Sequence, residues 1–114
     1  MIGFYSWNLL RAARLVVDTG LHAFGWSRQC AINYLVENTF VGRQTCEGQV
    51  DRYIVWPGQA LAYKMGEREI QAVRQRINAE MGEAFDLKQF HDILVKCIGP
   101  ISMIQKCVRD QLPL

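Results

Sequence analysis

The sequence predicts an all-α chain of five or six helices. Apolar residues recur at three- and four-residue spacing along most of its length. Helix-starting and helix-stopping residues punctuate it at short intervals. Strand-like alternation is scarce, the only short β-branched run being Tyr53-Ile54-Val55-Trp56. At 114 residues the chain is sized for a single helical domain, residues 1–114, and not for two.

The first helix is expected from about Phe4 to Ala23, stopping near Gly25, a residue type suited to a helix C-terminus. Ser27 is placed to cap a second helix, Arg28 to Glu37, whose Ala31, Ile32, Tyr34 and Leu35 cluster on one side. Residues 38–46 carry Asn, Thr and Gly and read as a loop. A third helix starts near Glu47 and approaches Pro57, which lacks an amide hydrogen and crowds the preceding turn, so it kinks or breaks the helix. The helical pattern resumes at Gly58 and runs to about Met81, with Ile70, Val73, Ile77 and Met81 as its apolar stripe. Asp86 caps a helix from Leu87 to about Lys96 that turns Phe90, Ile93, Leu94 and Cys97 inward. Gly99-Pro100 breaks the chain, and Pro100 opens a last helix ending near Gln111.

The first helix is apolar almost all round, with Ile2, Phe4, Tyr5, Leu9, Leu15 and Val16 among its residues. Such a helix belongs inside a larger mass. Its cover is further protein, meaning a missing N-terminal portion of a longer parent, or a self-association partner, or the other helices of the chain itself. The exception to its apolar character is a stripe of Arg11, Arg14, Asp18 and His22, which at helical pitch falls within a sector of about 80°. Arg14, Asp18 and His22 succeed one another at four-residue steps, so each neighbours the next. Buried charges are costly unless paired, so the stripe faces water, a cleft or itself. One reading is a cleft wall with His22 as proton donor or oxyanion partner; the other is a structural ion-pair ladder.

A second cluster is Asp51-Arg52-Tyr53 followed by Trp56-Pro57-Gly58-Gln59 and Tyr63-Lys64. On a continuous helix Arg52, Trp56, Gln59 and Tyr63 would share one face. A tyrosine hydroxyl can donate to a developing oxyanion, and an arginine can hold a carboxylate with two parallel hydrogen bonds. Aromatic residues at this spacing also serve simply as core.

Thirteen basic and eleven acidic residues leave a net charge of +2, with no basic tract, which argues against nucleic acid and anionic membranes as partners. No apolar run reaches membrane-spanning length. No secretory leader is visible at Met1, so the default compartment is the cytoplasm, although a fragment would have lost any leader its parent carried. Cys30, Cys46, Cys97 and Cys107 are widely spread, form no CxxC pair and sit near no histidine. They read as reduced, structural thiols. His91-Asp92 falls on the polar side of an amphipathic helix. HExxH, GxSxG, P-loop and GxGxxG patterns are all absent.

The string from Arg14 to His22 with Gly25-Trp26-Ser27, the string from Asp51 to Gly66, and Phe85-Asp86-Leu87 with Phe90-His91-Asp92 together resemble the C-terminal portion of domain-of-unknown-function family 885, over about residues 3–98. That family is similar to the gluzincin metallopeptidases, a group that includes angiotensin-converting enzyme. The resemblance implies a C-terminal fragment of a larger helical metallopeptidase-like fold. It implies zinc in the full-length protein, held by an HExxH-type motif and a further Glu upstream of this region. It also implies a peptide-like substrate. Arg52-Tyr53 resembles the Arg-Tyr step of the converting-enzyme group, in which the tyrosine supports the tetrahedral intermediate, and His22 matches the family's own motif. On this basis Tyr53 and His22 are the candidate catalytic residues, and Arg52, Arg14, Asp18, Gln59 and Tyr63 the candidate substrate-binding ones.

The chain departs from the family in its metal ligands. It has two histidines, neither with a zinc-binding partner at helical spacing, whereas a catalytic zinc needs about three protein ligands. The leading expectation is therefore a piece of a zinc-dependent hydrolase-like protein, inactive alone, that lends cleft residues to a metal held elsewhere. The competing expectation is a stand-alone helical interaction module without catalysis. A third is a truncated gene product with no function. The purified chain is expected to bind no stoichiometric zinc, and metal analysis finding one tightly held zinc per chain overturns this.

Overall fold

The computed structural model describes residues 1–113 and is all-α, as the periodicity predicts. Six α-helices follow one another: α1 Ile2–Ala23, α2 Arg28–Asn38, α3 Arg43–Val55, α4 Ala62–Met81, α5 Leu87–Leu94 and α6 Ile104–Gln111. Single 3-10 turns occupy Gln59–Leu61, Gly82–Ala84 and Ile101–Met103, and no strand occurs among the described residues. The chain divides into two compact units, Met1–Met65 and Gly66–Leu114.

In the first unit α1, α2 and α3 bury Leu10, Val17, Ile32, Leu35, Val50 and Tyr53 together. Gly25, at φ 68°, takes the left-handed conformation that reverses the chain after α1. The reversal lays Trp26 back over α1, where its N–H donates to the Gly20 carbonyl at 2.9 Å. A Cβ at position 20 would lie 2.4 Å from the indole, so only glycine fits beneath it. Ser27 then caps α2, its Oγ accepting from Cys30 N at 3.1 Å.

The loop after α2 is shorter than expected. Thr39 leaves the helix in extended conformation, its Oγ1 donating to Leu35 O at 2.6 Å and accepting from Val41 N at 3.3 Å. Extended Gly42 then serves as N-cap, so α3 begins at Arg43 and not near Glu47. Arg28 and Asp51 join α2 to α3 by two parallel bonds, 2.7 and 3.1 Å, and this guanidinium holds the Asp51 carboxyl below its ordinary range. Pro57 breaks the helix as expected. The continuation does not start as α-helix at Gly58, because that residue turns with φ 82° and a 3-10 turn precedes Ala62.

In the second unit α4, α5 and α6 share a core of Val73, Ile77, Phe90, Ile93, Ile104 and Val108. Asp86 caps α5 through Lys88 N at 2.9 Å. Arg109 donates to Glu80, and Arg76 to Gln105. The expectation of four reduced thiols is corrected here: Cys97 and Cys107 form a disulfide, with Cα atoms 5.9 Å apart. Their spacing matches no short motif, so only the fold reveals the pairing: α5 stops at Leu94 and the Gly99-Pro100 turn brings α6 back beside it. Cys46 is buried and free, and Cys30 is exposed and free.

Gly20→Ala is expected to cost about 1–3 kcal/mol in denaturant unfolding by driving the indole off α1; an unchanged midpoint would show that Trp26 moves aside freely. Reducing the disulfide opens the loop between Cys97 and Cys107, so a reductant should destabilise the second unit by about 2–3 kcal/mol. Hydrogen exchange of the Phe90 and Ile93 amides checks this, and equal protection with and without reductant contradicts it.

Candidate functional site

The polar stripe of α1 does not face solvent as a ladder of its own. It faces the end of α3, the Trp56-Pro57-Gly58 turn and the start of α4, so the two polar clusters separated in sequence meet within the first unit.

Asp18 is 3% exposed. Its carboxylate accepts the Gly58 N–H with both oxygens, Oδ2 at 3.1 Å and Oδ1 at 3.3 Å. It is therefore committed to the turn and not to His22 or Arg14. His22 lies one turn further along α1, and its Nε2 is 2.8 Å from the Tyr53 carbonyl. A carbonyl oxygen only accepts, so Nε2 carries a proton and Nδ1 is the nitrogen turned away from this bond.

Tyr53 is fully buried in the first core, and its hydroxyl donates to Gln49 Oε1 at 3.3 Å. Burial pushes its phenol above the ordinary range, while the guanidinia of Arg14 and Arg52 pull against that shift. Its proton therefore stays in place at neutral pH, and the group acts as a donor.

The Arg14 guanidinium lies 5.5 Å from the Tyr53 ring centroid and 5.6 Å from that of Tyr63. Arg11 approaches the same Tyr63 ring at 4.9 Å. These are cation–π distances. Arg14 Nε is buried without a hydrogen-bond partner. Arg52 sits 4.8 Å over Trp56, and its Nε donates to Gln59 Oε1 at 3.1 Å, a contact the bend at Pro57 permits. Lys64 donates to Asn8, joining α4 to α1.

All seven residues singled out from the sequence thus lie in the first unit, around the α1 stripe and the Pro57 turn. Gln49 and Asn8 escaped the sequence reading, as did the role of Gly58, which was named there only as part of the second cluster. Gln49 stands four residues before Tyr53 and was visible as an i, i+4 neighbour, whereas Gly58 acts through its backbone and Asn8 through a partner far along the chain. Among the described residues no group of three or more His, Cys, Asp and Glu is placed to hold a metal ion. No described helix is long and apolar enough to cross a membrane.

Comparison with known proteins gives this arrangement a family. No curated protein matches the chain. A crystal structure of a putative lipoprotein from Colwellia psychrerythraea is similar, with 40% identity and a TM-score of 0.91 over 96% of this chain. The chain spans 19% of that protein's chain. The likeness to a lipoprotein overturns the default expectation of a cytoplasmic protein. That default rested on the lack of a visible leader, a feature that need not lie within the segment two such proteins share. The family model described as "Bacterial protein of unknown function (DUF885)" matches residues 1–103, and the chain belongs to that family.

Proposed function

We propose that the chain furnishes the substrate-facing wall of a larger zinc-dependent hydrolase-like protein and is inactive alone. The observation that carries this is the convergence of Arg14, Asp18 and His22 with Arg52, Tyr53, Gln59 and Tyr63 at one place, each held by an element other than its own or stacked on an aromatic ring. Polar groups convergent within an otherwise apolar setting characterise binding sites. Among the described residues no donor set fits zinc. Any metal ligands would come from outside it, and the chemistry argued for its own residues is binding and proton placement.

In this reading Arg14, Arg52, Gln59 and Tyr63 bind a peptide-like substrate, and Asp18 holds the turn that presents them. His22 offers Nδ1 as a proton acceptor, and its tautomer is set by the Tyr53 carbonyl. Tyr53 exchanges its weak 3.3 Å bond to Gln49 for one to a developing oxyanion. The compartment proposed is an oxidising one in the cell envelope. The Cys97–Cys107 bridge supports this, as does the similarity to a lipoprotein.

A second reading, a helical interaction module without catalysis, is favoured by one observation: Phe4, Tyr5 and Trp7 of α1 stand more than half exposed. Apolar surface of this kind usually meets another protein surface. Turnover separates the two. In a longer family protein containing this segment, Tyr53→Phe is expected to lower kcat on the order of a hundredfold and leave KM little changed. Unchanged kcat removes Tyr53 from the site and favours the module.

A further inference from the structure

We propose that Arg11 and Arg14 form a clamp for a single carboxylate, such as the free C-terminal carboxylate of a peptide. This rests on the reading of the site as a substrate wall and names the group it recognises. Two guanidinia approach one ring, Tyr63, at 4.9 and 5.6 Å, and neither makes an ion pair with any described residue. The ring's negative face offsets part of their mutual repulsion. An anion between them offsets the rest.

Arg11 lies at cation–π distance from Tyr63, and Arg14 from both Tyr53 and Tyr63. The in-plane N–H edges of a guanidinium match a planar carboxylate. Arg14 Nε is buried and lacks an acceptor, so a carboxylate would meet this guanidinium at its terminal nitrogens. Tyr63 is 62% exposed, so the clamp is open on that side.

Charge decides between a carboxylate and a doubly charged phosphate. Two guanidinia and the Asp18 carboxylate one turn on leave about one positive charge. The neighbouring cations are turned to other groups: Arg52 to Trp56 and Gln59, Lys64 to Asn8. A singly charged ligand matches that surplus.

The test titrates the 114-residue chain by amide NMR with N-acetyl-Ala-Ala-Phe as free acid, with its C-terminal amide, and with inorganic phosphate. The free acid is expected to bind about tenfold or more tighter than the amide, in keeping with charge-assisted hydrogen bonds. Its affinity should fall as salt rises. Phosphate should bind more weakly than the acid. Arg11→Gln, at a partly buried position outside the core, should abolish the acid-over-amide preference while the spectrum stays folded. Arg14→Lys, which keeps the charge and loses the fork, should reduce it. Equal binding of acid and amide overturns the clamp, as do tighter binding of phosphate and binding of neither peptide. None of these results touches the substrate-wall reading, which stands or falls on turnover of the longer protein.

Discussion

A carboxylate 3% exposed, on a helix otherwise apolar, must find a donor or destabilise the fold. Asp18 finds one in the Gly58 N–H, forty residues along the chain. The donor is available because of what surrounds it. Pro57 ends α3 and contributes no N–H of its own, and Gly58 takes φ 82°, a conformation a Cβ would oppose. The amide so exposed points back at α1. From this one tether follows the position of the 3-10 turn, the start of α4, and the placing of Tyr63 beside Arg11 and Arg14. Removing the Asp18 carboxyl group would leave the Gly58 amide without its acceptor, and removing the turn would leave a buried anion. Each makes the other necessary.

The other end of the stripe is secured by shape. Gly25 reverses the chain, Trp26 folds onto Gly20, and the indole also meets Tyr34 of α2 at 5.6 Å. This closes α1 against α2 in the turn that holds His22. The ring of His22 is then within reach of the carbonyl of Tyr53, and that bond selects its tautomer. Packing of small against large residues thus sets the orientation of the one histidine in the candidate site.

The helices and their breaks were legible because apolar periodicity and Gly, Pro, Ser and Asp punctuation act locally. Ser27 and Asp86 cap as their positions suggest, and Pro57 breaks the chain. What sequence could not place were outcomes of distant partners. Asp18 neighbours His22 on a helix surface, and the i, i+4 rule favours their pairing, yet a backbone amide from another element wins it. The thiols of Cys97 and Cys107 are ten residues apart, and only the return of α6 brings them together. The residues of the two polar clusters were legible as candidates, whereas their partners were not: Gln49 for Tyr53, Gly58 for Asp18, Tyr63 for Arg11.

One helix serves three surfaces, and this accounts for its composition. Leu10, Ala13 and Val17 face the core. Arg11, Arg14, Asp18 and His22 face the turn and the aromatic rings. Phe4, Tyr5, Trp7 and Val16 are left with water. A helix with a single buried face would carry polar residues on the third surface at no loss to its fold. That this one carries large apolar groups there, in a segment spanning 19% of a similar protein, is a physical reason to expect further chain against it. The same expectation bears on the arginines. Covering α1 would lower the dielectric around Arg11 and Arg14 and raise the cost of leaving two guanidinia without a counter-charge. The more completely the helix is enclosed, the more strongly its stripe favours an anion.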